Sequence, residues 1–167
     1  MGPVAVIVGP PGAGKTTVGR AVAELLGVPF TDTDVLIEAK AGKPIPEIFF
    51  DEGEAHFRDL ERAAIAESLG SFEGVLALGG GAILNESTRT ALQNHTVVFL
   101  SVELADAVQR VGLGAGRPLL SVNPRATLKY LMEQRRPLYA AAATHTIRTD
   151  ARTVQEIAEE LTTLLKG

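Results

Sequence analysis

Val4-Ala5-Val6-Ile7-Val8-Gly9-Pro10-Pro11-Gly12-Ala13-Gly14-Lys15-Thr16-Thr17-Val18 is the stretch whose reading decides the architecture of this chain. A short unbroken apolar run at residues 4–8 passes through a glycine-rich turn into a helical pattern over 16–26. From Gly9 to Thr16 the turn matches G-x-x-x-x-G-K-[ST], and the strand before it and helix after it are the context that gives the pattern meaning. Glycines there let the backbone curl until successive N–H groups converge on one anion, and the helix adds the positive end of its dipole. Gly12, Ala13, Gly14, Lys15, Thr16 and Thr17 are therefore the expected contacts to the phosphates of ATP, with Lys15 reaching the β- and γ-phosphates. Thr16 is expected to offer its hydroxyl to Mg²⁺.

Further apolar runs of strand length stand at 74–78, 96–101 and 145–149, with a weaker one at 29–32. Helical patterns fill the gaps, over 35–41, 46–69, 86–93, 104–111, 124–143 and 153–165. Continuous apolar strands separated by helical crossovers imply a parallel sheet covered on both faces, because each crossover lays a helix back over the sheet. The expected class is α/β: three layers around a five-stranded parallel sheet. The final helix carries Val154, Ile157, Ala158, Leu161, Leu164 and Leu165 on one face, and Thr153 with Glu156 fits a capping box. No linker divides the chain, so residues 1–167 read as one domain, with residues 33–70 forming a helical substrate-binding segment. A glycine-rich stretch at 112–123 suits a mobile lid carrying Arg117.

Composition narrows the function. The chain of 167 residues is 46% hydrophobic, enough for one substantial core. A net charge of −4 with no basic block gives no electrostatic footprint for a nucleic acid or an anionic membrane. With no cysteine, a thiolate metal site, a disulfide framework and a cysteine nucleophile are excluded. His56, His95 and His145 are too scattered to form a metal cluster. The N-terminus enters a strand directly, without a basic flank or a long apolar segment, so a cytoplasmic location is the expectation; a monomer is expected alongside it.

A phosphate loop names a nucleotide and not a reaction, so the acceptor must be sought elsewhere. The N-K-x-D pattern of guanine-reading switches is absent, which favours small-molecule kinases. Asp32-Thr33-Asp34 ends the second strand and opens a helix, at the sheet edge where α/β ligands bind. Asp32 could hold Mg²⁺ through its water shell. Asp34 could orient or deprotonate an acceptor hydroxyl, or it could merely cap the helix. Arg58 and Glu61 share one helix face, either as a solvated ion pair or as an arginine fixed to fork a carboxylate. Gly79-Gly80-Gly81 removes every side chain from the pocket edge, as a flexible turn or as a place where ligand meets backbone. Arg110 and Arg117 flank or occupy the glycine-rich stretch, and Arg135 is a further candidate for an anionic substrate.

With these residues assembled, the chain resembles the shikimate kinases along nearly its whole length. The resemblance is carried by the loop at 9–16, Asp32-Thr33-Asp34, Gly53-Glu54 leading to Phe57-Arg58 and Glu61, Gly79-Gly80-Gly81, Arg117-Pro118-Leu119, and Arg135 with Pro137-Leu138-Tyr139. It implies a P-loop kinase fold and a transfer from Mg-ATP to the 3-hydroxyl of shikimate. Shikimate would be held by Asp34, Arg58, Arg135 and the glycine turn, Gly80 foremost, with Glu61 in support and Phe49 and Phe57 beside the ring. Lys15, Asp34 and Arg117 would be catalytic, Arg110 and Arg152 would lie near the nucleotide, and Thr16 with Asp32 would serve the metal. The family pattern selects Arg135, although Arg136 could act if the register differed. The rivals are another small-molecule kinase, for gluconate or a nucleoside monophosphate, and a nucleotide switch that transfers nothing.

Overall fold

A computed structural model describes residues 2–103 and 124–166. Five strands alternate with helices: β1 (Ala5–Val8), α1 (Lys15–Leu26), β2 (Phe30–Asp32), α2 (Thr33–Ala41), α3 (Ile45–Ser71), β3 (Val75–Ala77), a 3-10 turn (Ala82–Leu84), α4 (Glu86–Leu92), β4 (Val97–Ser101), α5 (Pro124–Ala142), β5 (His145–Arg148) and α6 (Val154–Lys166). The helix expected at 104–111 and the lid expected at 112–123, with Arg110 and Arg117, lie outside the described residues.

Every strand pairing is parallel, in the order β2-β3-β1-β4-β5. Alternation within the strands builds a core on each face. Ile7, Val75, Ala77, Val98 and Leu100 meet Val18 and Val22 of α1 and Ile157 and Leu161 of α6. Val6, Val8, Leu76, Leu78, Val97 and Phe99 meet Ile65 and Leu69 of α3 and Tyr139 of α5. A sheet buried on both faces has only its strand ends left for chemistry, and with all strands parallel their C-terminal ends share one edge. A third cluster of Ile37, Ile45, Ile48 and Phe57 joins α2 to α3 and holds the helices beside that edge.

Helix ends follow the sequence signals. At α6 the Thr153 amide donates to Glu156 Oε1 and the Glu156 amide to Thr153 Oγ1, each at 3.1 Å, so the expected capping box is formed. The continuous helix expected over 46–69 is instead broken at Gly53, where φ is 87° and ψ is 167°. Periodicity carries through the break, which is why the sequence pattern conceals it. That backbone region is essentially confined to glycine. Phe49 before the break and Phe57 after it pack as a tilted pair with ring centroids 4.8 Å apart.

Nothing lies within 4 Å of a Cβ placed on Gly53, so Gly53→Ala isolates the backbone term. It should cost about 1–3 kcal/mol, read as a drop of about 2–10 °C in thermal midpoint for a chain of this size. An unchanged midpoint would mean that the break is not held.

Candidate active site

Register places the site. Asp32 pairs with Ala77, and Ile7 pairs with Ala77 from the other side, so the segments after β1, β2 and β3 emerge together at one edge. From β1 comes the phosphate loop. Gly12 and Gly14 take φ of 85° and 90°, a region closed in practice to bulkier residues, and Gly14 is the residue from which α1 starts. Lys15 lies over the loop, its Nζ donating to the carbonyls of Gly9 at 2.8 Å and Pro10 at 3.1 Å. Ala13 is buried and fixes the loop against the core, whereas Thr17 is exposed.

From β2 comes Asp32. Its Oδ2 accepts from the Thr16 hydroxyl at 3.0 Å and its Oδ1 from the Asp34 amide at 2.8 Å. Asp32 therefore caps α2, and the alternative in which Asp34 serves only as a cap is set aside. Thr16 and Asp32 put a hydroxyl and a carboxylate oxygen side by side next to the loop, the hard oxygen set that suits Mg²⁺ completed by phosphate and water. Among the described residues no group of three or more acidic, histidine or cysteine side chains could hold a metal alone.

From β3 comes the glycine turn, and here the structure explains what the sequence left open. A Cβ on Gly79 would lie 2.9 Å from Asp34 Oδ1 and 3.0 Å from Glu61 Oε2, and one on Gly81 would lie 2.5 Å from both terminal nitrogens of Arg58. The missing side chains make room for the protein's own charged groups. Gly79 is further held by its amide, which donates to the buried Thr33 hydroxyl at 3.3 Å.

Arg58 donates to Glu61 at 2.8 Å, and its other nitrogens approach Glu54 at 3.4 Å. Its guanidinium also lies 5.2 Å from the centre of the Phe57 ring. Glu61 is only 3% exposed. Burial pushes its carboxyl above the ordinary 4.5, with the Arg58 cation working in the opposite direction. This is no solvated surface pair. Beyond Arg58 a cleft of about 210 Å³ continues toward Asn85 and Thr88.

On α5, Arg135 is 4% exposed while Arg136 faces outward, so Arg135 is the one of the two turned into the protein. Its Nε has no hydrogen-bond partner among the described residues. Tyr139, one helical turn later, is buried, donates its hydroxyl to the Gly80 carbonyl and stacks on Phe99. Burial pushes its phenol up to about 12, so it stays a neutral donor. Arg152 pairs with Glu160 at 2.6 Å and donates to the Arg148 carbonyl at 3.3 Å. Those contacts hold it on the β5–α6 connection and connect it to none of the groups above.

The phosphate loop, the Thr16–Asp32 pair and an acceptor pocket of paired charges together define a P-loop phosphotransferase for a small molecule. The chain belongs to the shikimate kinase family: the family model described as Shikimate kinase matches residues 11–166. It is 72% identical to the shikimate kinase of Salinispora tropica over 165 residues, 99% of each chain, and 58% identical to that of Thermobifida fusca over 94% of this chain and 91% of the relative. Its structure is similar to a solved shikimate kinase from Acinetobacter baumannii in complex with shikimate, with a TM-score of 0.94 at 42% identity over 99% of this chain and 93% of the other. A gluconokinase from Sinorhizobium meliloti shares the fold more loosely, at a TM-score of 0.59 and 25% identity over 97% and 90%.

In the sequence, Glu54 and Tyr139 enter only as parts of the family pattern, without the roles that the structure gives them. Both were within reach of helical spacing, since Glu54 lies four residues before Arg58 and Tyr139 four after Arg135.

Glu61 supplies a pH signature. Its raised pKa means that the native state holds the proton more tightly than the unfolded chain, so its contribution to stability is full below about 4.5 and is lost as pH climbs through the raised value. The urea midpoint of Glu61→Gln relative to the parent should therefore rise as pH increases from about 4.5 toward neutrality. A constant difference across that window would contradict the burial of an ionisable group there.

Proposed function

We propose that this chain transfers the γ-phosphoryl group of Mg-ATP to the 3-hydroxyl of shikimate, giving shikimate 3-phosphate and ADP on the route to chorismate and the aromatic amino acids. The observation that carries the reading is the convergence of Asp34, Glu61 and Arg58 on a glycine turn beside the phosphate loop. A carboxylate for a hydroxyl and a fixed guanidinium for an anion are the groups that an acceptor bearing both would require.

ATP phosphates lie on the loop from Gly12 to Thr17, with Lys15 leaving its carbonyl partners for the β- and γ-phosphates. When bound at Thr16 and Asp32, Mg²⁺ supplies charge neutralisation to those phosphates. Asp34 accepts the hydrogen bond of the 3-hydroxyl and aligns its oxygen with the γ-phosphorus. The new O–P bond forms as the bond to the β–γ bridging oxygen breaks, ADP leaves, and the hydroxyl proton passes toward the Asp34 side. Arg58 and Arg135 hold the shikimate carboxylate. Arg58 arrives already oriented by Glu61 and Glu54, so little side-chain entropy is lost on binding. For Arg135 the acceptor's negative charge offsets the cost of a buried cation with an unsatisfied Nε. Phe49 and Phe57 form the apolar wall. Arg110, Arg117 and Arg152 belong to the reading as nucleotide contacts on the strength of the resemblance alone.

Purified protein offered shikimate, gluconate, nucleoside monophosphates or no acceptor should release ADP with shikimate alone. Release with gluconate in its place would move the reading to the rival kinase, and release independent of any acceptor would move it to a nucleotide switch. Asp34→Asn should lower kcat by about 10²–10⁴-fold and leave the KM for ATP within about twofold. Turnover equal to the parent's would remove Asp34 from the chemistry.

A further inference from the structure

Three consecutive glycines give the pocket its room and also deprive it of side chains that would lock the peptide planes. Outside tethers have to do that. The Gly79 amide is taken by Thr33, and the Gly79 and Gly81 carbonyls are taken by the Ala82 and Leu84 amides at 3.1 Å each. For the middle residue, the side chain that holds the Gly80 carbonyl is Tyr139, reaching across 59 residues of sequence with an O–O distance of 2.5 Å. Because a peptide unit is planar and trans, fixing the Gly80 carbonyl also fixes the Gly81 amide, which points the opposite way.

The phenol also stands next to the buried cation in sequence and space: Arg135 lies one turn earlier on the same buried face of α5. Its ring is 1% exposed and stacked on Phe99 at 5.1 Å between centroids, so the hydroxyl is delivered from a rigid base. One buried group thus joins the glycine turn after β3 to the helix that carries the buried cation.

We propose that Tyr139 is a positioning residue for the phosphoryl acceptor, tying the Gly80 carbonyl to the helix turn that carries Arg135 so that turn and cation meet the acceptor in one fixed arrangement. The inference rests on shikimate being the acceptor. It assigns Tyr139 no contact with the reacting atoms. Its effect falls on the acceptor and not on the nucleotide, because the phosphate loop is held by its own backbone contacts and by Asp32.

Tyr139→Phe keeps the ring and removes the hydroxyl. It should raise the KM for shikimate about five- to tenfold, the loss of one hydrogen-bonding arrangement, with the KM for ATP within about twofold. Phe99→Leu is the packing control: it disturbs the ring's support and leaves the hydroxyl, so it should lower the thermal midpoint without moving the KM for shikimate. The proposal is overturned by a Tyr139→Phe protein with the parent's KM for shikimate, by a Phe99→Leu protein whose KM rises as much, or by a Tyr139→Phe protein that does not fold, since the hydroxyl would then be a folding element. Parent protein inactive on shikimate would instead defeat the acceptor reading, an outcome distinguishable from all three.

Discussion

Where a Cβ would stand on Gly79 and Gly81, the structure has placed two carboxylates and a guanidinium. Asp34 and Glu61 close on Gly79, and Arg58 lies over Gly81, at distances from which a Cβ would push those side chains away. The rest of the site is arranged around that vacancy. The break at Gly53 redirects α3, across which Phe49 and Phe57 pack as a tilted pair, and Asp32 caps α2 and thereby leads Asp34 toward the same turn. The sheet's buried faces leave its C-terminal edge as the place where these groups meet.

Charge in the pocket is arranged more than accumulated. Glu61 is buried at an energetic cost to its ionised form, and that cost is offset by Arg58, whose geometry it fixes in return. Arg135 carries a charge into the core with Nε unsatisfied among the described residues. Arg58 has its carboxylate partners and Arg135 keeps one nitrogen unpaired among the described residues, an arrangement that fits the anionic acceptor proposed above. The nucleotide half depends on a different device, backbone amides at a helix start, so changes to one half can be read separately from changes to the other.

The fold was legible because its signals are local. The apolar runs, the capping box at Thr153 and Glu156 and the loop from Gly9 to Thr16 each depend on neighbours in sequence, and the structure bears out the parallel sheet they imply. The one misread helix, over 46–69, failed for a specific reason: apolar spacing continues on both sides of Gly53, and periodicity cannot register a single residue with positive φ. For the site, the residue types were legible and their states were not. Whether Arg58 and Glu61 formed a solvated pair or a buried one depends on what covers them, and that cover comes from the turn after β3.

By itself the sequence determined the class of architecture, the phosphate loop with its lysine and threonine, and the identities of the charged residues available for an acceptor. Each of these follows from residue type and short-range spacing. Only the tertiary structure decided that Asp32 and not Asp34 caps α2, that Arg135 and not Arg136 faces inward, and that the glycine turn serves the protein's own side chains. Those outcomes depend on contacts between segments that lie dozens of residues apart, 59 in the case of Gly80 and Tyr139. No local pattern encodes a distance of that kind, because it is fixed by how strands of a parallel sheet come into register and which helix face they bury.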